Sequence, residues 1–203
     1  MSRIIRVWDP LVRFGHWALV VLFIVAYVSE DDFLIVHSWA GYGIAAVVTI
    51  RIVWGFIGTP HARFSDFVYR PSAVFGYLRD LVSFRAKRYL GHSPAGGAMV
   101  VALLLSLAAT TGTGMATFAV RYERGPLATF VVADPSQPPP DIAAAKAQRR
   151  IDRRGREIKE VHEFFVNLTL VLIGLHLAGV ALASLVHREN LPQSMVTGDK
   201  RAE

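Results

Sequence analysis

Four apolar runs, at about 11–29, 38–58, 94–118 and 161–186, decide what this chain can fold into. Each is close to the ~17–25 residues a helix needs to cross ~30 Å of hydrocarbon. Inside lipid a backbone N–H or C=O has no water to bond, so only helices and closed barrels can span. None of the runs alternates with period two, which argues against a barrel. The expectation is an all-α, four-helix transmembrane bundle that forms a single integral-membrane domain over residues 1–203. Composition agrees, since 53% hydrophobic residues and a mean hydropathy of +0.37 are too apolar for a soluble domain of 203 residues. No cleavable signal peptide is expected, because the first ten residues are polar and no small-residue cleavage site follows Tyr27.

Four spans place both termini on one side. The first connection carries Glu30, Asp31 and Asp32 and no Lys or Arg, whereas the second (59–93) carries Arg63, Arg70, Arg79, Arg85, Lys87 and Arg88. The termini add Arg3, Arg6, Arg13, Arg188, Lys200 and Arg201. The positive-inside rule then puts the termini and the second connection in the cytoplasm. The third connection (119–160) is also basic, but long loops weigh less in topology. Within it, 134–140 reads as extended polyproline, and 142–160, rich in Ala, Lys, Arg and Glu, as an exposed helix feeding the fourth span. Residues 72–89 have helical apolar spacing and are expected to lie along the membrane surface as an amphipathic helix. The net charge of +6 gathers in these connections, where it meets membrane lipid rather than nucleic acid. With no cysteine, disulfides, thiolate iron–sulfur clusters and thioether-attached haem are excluded.

His162 and His176 stand 14 residues apart in the fourth run. At ~100° and ~1.5 Å per residue they share a helix face and lie roughly 21 Å apart along the axis. Two histidines at two depths point to two stacked metal cofactors. By depth, His37 at the outer start of the second span shares a level with His162, and His16 in the first span shares one with His176. Bis-imidazole ligation of two irons follows from that pairing. Zinc fits less well, because no level offers three or four ligands. A single apolar-face histidine is usually a hydrogen-bonded interior residue, so the pairing carries the reading. His61, His92 and His187 fall at loop or interfacial positions, as solvated or headgroup-contacting residues or as proton donors to a quinone.

Arg51 also follows its helix's histidine, His37, by 14 residues, so it lies near the inner level on the same face. A haem propionate of the inner cofactor and a lipid phosphate reached by snorkelling are its two candidate partners. Arg13, one turn before His16, poses the same choice. Gly41 and Gly43 after His37, Gly96, Gly97, Gly112 and Gly114 at the two ends of the third span, and Gly174 and Gly179 on either side of His176 permit close approach of rings or of helices, and helix packing alone explains them equally well. Trp17, Trp39 and Trp54 suit an interfacial aromatic belt.

Arg13-Phe14-Gly15-His16-Trp17, His37 with Gly41 and Arg51, Val161-His162-Glu163 and Gly174-Leu175-His176 together resemble the bacterial cytochrome b561 family and the related b-type subunits of hydrogenases and formate dehydrogenases. Val7-Trp8-Asp9-Pro10 and the stretch from Gly58 to Phe64 resemble its hydrogenase-type subgroup. The resemblance implies a di-haem b electron carrier of the bacterial inner membrane, with His37 and His162 on the outer haem iron and His16 and His176 on the inner one. It also implies exchange with the quinone pool and a redox protein at the outer face, either a cytochrome c or a hydrogenase or dehydrogenase subunit. Two competing readings are a free-standing oxidoreductase that passes electrons from superoxide or a similar small donor to quinone, and a structural membrane protein with no redox role.

Overall fold

The computed structural model describes residues 4–30, 33–131 and 141–202. The polyproline segment expected at 134–140 lies outside them. The described elements are β1 (Ile4–Arg6), α1 (Pro10–Val28), α2 (Leu34–Ile57), α3 (Phe64–Phe67), α4 (Pro71–Val82), α5 (Pro94–Tyr122), α6 (Ala128–Val131), α7 (Asp141–His187), α8 (Leu191–Thr197) and β2 (Asp199–Arg201). Four helices are long and apolar enough to cross a membrane: α1, α2, α5 and, from Arg150 onward, α7. The expected all-α transmembrane bundle is therefore found.

Local chemistry fixes the helix ends. Asp9 caps α1 by accepting from the Val12 N–H at 2.9 Å, with Pro10 at the first helical position. Ser93 caps α5 in the same way, with Pro94 following. At the other end α5 stops at Glu123, which adopts a left-handed conformation (φ 53°). α2 begins at Leu34, so His37 sits in its first turn.

Consecutive spans pack side by side: α1 on α2, α2 on α5, and α5 on α7. Ala26 of α1, Ala40, Ile44 and Val48 of α2, and Leu104 and Leu107 of α5 form the buried apolar core. Small residues at Ala26 and Ala40 let α1 and α2 approach closely. Many large apolar side chains face outward, among them Ile24, Ile35, Phe56, Leu105 and Leu185. In a lipid-embedded bundle these are the lipid-facing residues.

The exposed helix expected at 142–160 is continuous with the fourth span, so α7 runs unbroken for 47 residues. At ~1.5 Å per residue it is about 70 Å long, and its N-terminal part stands clear of the bilayer. The surface helix expected over 72–89 is shorter. α4 ends at Val82 because Ser83 caps it and Phe84 takes a left-handed φ of 57°, while Arg88 leaves the helix to bind the C-terminal segment. α4 buries Tyr77 and Leu81 against α5 and α7 and turns Phe75, Leu78 and Val82 outward.

Both termini do lie on one side: β1 pairs antiparallel with β2, Ile4 opposite Arg201 and Arg6 opposite Asp199. Beneath this clasp Glu189 receives Arg88 Nη2 at 2.8 Å and Lys200 Nζ at 3.5 Å, and the Glu189 and Lys200 side chains are 7% and 4% exposed. Arg88 also donates to the Arg201 carbonyl. Burial alone would raise the Glu189 pKa, but the Arg88 hydrogen bond and the Lys200 and Arg88 charges more than offset it, so the carboxyl titrates below the usual 4.5.

Two outcomes are expected from thermal unfolding in detergent micelles. Asp9→Ala removes the α1 cap and the acceptor for Trp54 Nε1 (3.0 Å) and Thr59 Oγ1 (2.5 Å), and lowers stability by about 2 kcal/mol. Glu189→Gln leaves Lys200 buried without its counter-charge and costs roughly 3 kcal/mol at pH 7. A depressed carboxyl contributes its stability above its unfolded pKa and loses it as pH falls through the folded value. The gap between wild type and Glu189→Gln is therefore fully present at pH 7, closes as pH falls below 4.5, and narrows at alkaline pH where Lys200 loses its proton.

Candidate functional site

α2 and α7 run in the same direction, and the rings of His37 and His162 meet across the bundle with centroids 6.3 Å apart at 90°. At the level nearer the termini, the rings of His16 on α1 and His176 on α7 are also 6.3 Å apart, at 57°. Both pairings expected from depth are present in the geometry. An imidazole nitrogen sits ~2.0–2.1 Å from a bound metal, so two such bonds in line plus the half-widths of two rings span about 6 Å. The centroid separation at each level matches what one metal ion held between two imidazoles would require.

Hydrogen bonding fixes which nitrogens face that gap. His37 donates its Nδ1–H to the Ala26 carbonyl (2.8 Å), and His162 donates its own to the Thr110 carbonyl (3.0 Å). A carbonyl only accepts, so each Nδ1 carries the proton and each Nε2 keeps a free lone pair. Thr113 Oγ1 lies a further 3.3 Å from His162 Nδ1. Gly114 makes room for this ring, because a Cβ there would stand 3.0 Å from His162 Cε1. At the other level His16 Nδ1 is buried with no partner.

The His37–His162 pair opens into a cleft with about 1110 Å³ of atom-free space, part of it continuous with the outside. Phe23, Ile44, Leu107, Met115 and Phe118 line it, Gly41 leaves one wall open, and Tyr42, Arg121 and Lys159 stand at its mouth. Arg121 reaches the mouth by crossing α7 at Gly155, where a Cβ would stand 3.0 Å from its Cγ. The composition at each level agrees with a porphyrin. Among the described residues no three His, Asp or Glu side chains gather at one point, so each level supplies two imidazoles. The two imidazoles would hold the iron of a haem, and the apolar cleft beside His37 and His162, with Arg121 among its lining residues, would suit a flat apolar ring that bears carboxylates.

Arg51 is 9% exposed, with its guanidinium over the rings of Phe64 (5.6 Å) and Phe67 (5.8 Å). It does not snorkel outward, and its Nη1 is buried without a partner. Because α2 and α7 are parallel and His37 is level with His162, equal 14-residue steps bring Arg51 level with His176. Arg13 donates to the Val196 carbonyl of α8, and its Nε is buried and unpartnered. Trp17 and Trp39 face outward, whereas Trp54 turns in to Asp9.

The interfacial histidines are more enclosed than the sequence implied. The His92 ring lies 4.6 Å from Trp8 and 4.5 Å from Phe67, and burial, followed by the Arg51 and Lys200 charges, pushes its pKa down to about 3. It is neutral at any physiological pH. His187 Nε2 is 3.2 Å from the Tyr77 hydroxyl, and the His61 N–H donates to Asp66 (3.1 Å). The sequence reading missed Ser106, Thr110, Thr113 and Thr169, and also Arg121 and Lys159. The signal for Thr169 was present, since it stands seven residues from both His162 and His176.

Four apolar helices with imidazoles facing one another in their interior define a membrane-embedded bundle of the kind that ligates a metal cofactor. The family model described as prokaryotic cytochrome b561 matches residues 7–198, and the chain belongs to that family. It is a multi-pass bacterial membrane protein, a transmembrane b-type cytochrome of electron transfer that binds b-type haem. No curated protein and no solved structure gives a significant match.

Gly114→Val is expected to displace the His162 ring and to lower the b-haem absorbance of the purified protein by about half, measured as haem per polypeptide.

Proposed function

We propose that the protein carries two b haems and passes electrons across the bacterial inner membrane between a redox protein at the outer face and the quinone pool. His37 and His162 ligate the outer haem and His16 and His176 the inner one, with the termini cytoplasmic. The observation that carries this reading is the pair of 6.3 Å imidazole contacts one above the other. When bound, each haem iron supplies reversible one-electron chemistry.

The chain's own residues set the conditions for it. Two imidazoles holding each iron would favour electron transfer over the binding of a small ligand. The Ala26 and Thr110 carbonyls hold the outer rings in one tautomer and one orientation, so little rearranges when charge changes. Phe23, Leu107 and Phe118 give the cleft an apolar lining. Arg121 in the cleft and Arg51 at the inner level supply positive charge for ionised carboxylates, whereas Lys159 is held by Glu163 at 2.6 Å. Outside the cleft, the protruding part of α7 presents exposed Arg150, Arg153, Arg154 and Arg156. Such a surface suits an acidic redox protein, since complementary charge accelerates encounter.

A reduced-minus-oxidised visible spectrum with haem quantitation tests the reading. Two b haems per chain are expected. His37→Ala or His162→Ala should remove one, His16→Ala or His176→Ala the other, and each variant should keep the remaining haem. A colourless protein, or loss of both haems from every single substitution, would refute it.

A further inference from the structure

Thr169 is the most deeply buried hydroxyl in α7, 0% exposed, and lies seven residues from each of the two proposed ligands on that helix. Seven residues turn ~700°, so it stands within about 20° of both histidines and roughly 10 Å from each along the axis. It therefore occupies the midpoint between the two levels. Three hydroxyls meet there: Ser106 Oγ lies 2.7 Å and Thr110 Oγ1 3.2 Å from Thr169 Oγ1.

Counting protons assigns the direction of each bond. Thr169 donates to the Phe165 carbonyl (2.8 Å), and Thr110 donates to the Ser106 carbonyl (2.8 Å). Each threonine has one proton, so the short bond between helices must come from the Ser106 hydroxyl, with Thr169 Oγ1 accepting. A hydroxyl in lipid ordinarily bonds back to its own helix, as Thr111, Thr113 and Thr117 do. Ser106 instead joins α5 to α7. One turn further along α5, Thr110 offers its carbonyl to His162 Nδ1. The join between the helices and the orientation of the ligand thus share one turn of α5.

We propose that Ser106 and Thr169 form a positioning lock which fixes the axial register of α5 against α7, and so sets the aim of His162 and the potential of the outer haem. The inference rests on the di-haem reading above. Neither residue touches the histidine, and each acts through Thr110. A slip of α5 along α7 would lengthen the bond to His162 Nδ1, reduce the electron donation that it supports, and change the angle between the two ring planes.

The test is a redox titration with low-spin EPR on the purified holoprotein, comparing wild type, Thr169→Val, Thr169→Ser and Ser106→Ala. The outer haem is identified as the signal lost in His37→Ala. Thr169→Val keeps the side-chain shape and removes the acceptor, and should shift the outer midpoint potential and its largest g value while the inner haem is unchanged. Ser106→Ala should produce the same shift, and carries the test should Thr169→Val fail to fold. Thr169→Ser keeps the hydroxyl and should behave as wild type. An unshifted outer haem in both Thr169→Val and Ser106→Ala, with two haems bound, overturns the lock and leaves the di-haem reading intact. A shift in Thr169→Ser equal to that in Thr169→Val also overturns it, because methyl packing would then be the cause. A wild-type protein with only one haem overturns both proposals.

Discussion

The His37–His162 level depends on two backbone carbonyls, each of which accepts a hydrogen bond from an imidazole of another helix. Ala26 lies in the last turn of α1, where the helix leaves carbonyls without a ladder partner, and Thr110 lies in the interior of α5; each carbonyl holds one imidazole of the facing pair. Without those two contacts the rings would be free to rotate about χ2, and either nitrogen could face the gap. With them, Nδ1 of each ring is engaged and the Nε2 lone pairs of His37 and His162 are kept free. The packing of α1 on α2 and of α5 on α7 is thus also what aims the donors, and the small residues at those contacts serve both ends.

Much of this was legible in the sequence because lipid removes alternatives. An apolar run of membrane length has to be a helix, and alternate direction of successive helices then turns sequence distance into depth. That is why His16 could be matched to His176 and His37 to His162 from spacing, and why Arg51 could be placed at a level. What stayed hidden depends on rotation and on local hydrogen bonding. Ser106 and Thr110 look like ordinary tolerated hydroxyls in a span, and only the packed interface shows which of them crosses to α7. Arg121 and Lys159 belong to different helices, and their approach to one mouth depends on Gly155. The strand pair at the termini is three residues on each side, too short for any alternation to be read.

The two ends of the bundle are built differently. At the end with the termini, Arg13, Arg51, Arg88 and Lys200 are enclosed by aromatic rings, carbonyls and Glu189, and the chain closes over them through α8 and the β1–β2 clasp. At the far end the bundle is open, with a cleft and a projecting basic helix. Charge is thus drawn inward on one side and displayed on the other, an asymmetry that suits a protein exchanging with lipid-dissolved partners at one face and with a macromolecule at the other.

One consequence follows from the unbroken course of α7. The vertical distance between its two histidines is fixed by fourteen residues of hydrogen-bonded backbone, and α2 repeats the same interval between His37 and Arg51. A thinner or thicker bilayer is accommodated by helix tilt, and tilt rotates this ruler without changing its length. In the proposed two-haem arrangement, the separation that governs how fast charge would hop between the two levels is therefore insulated from changes in lipid composition.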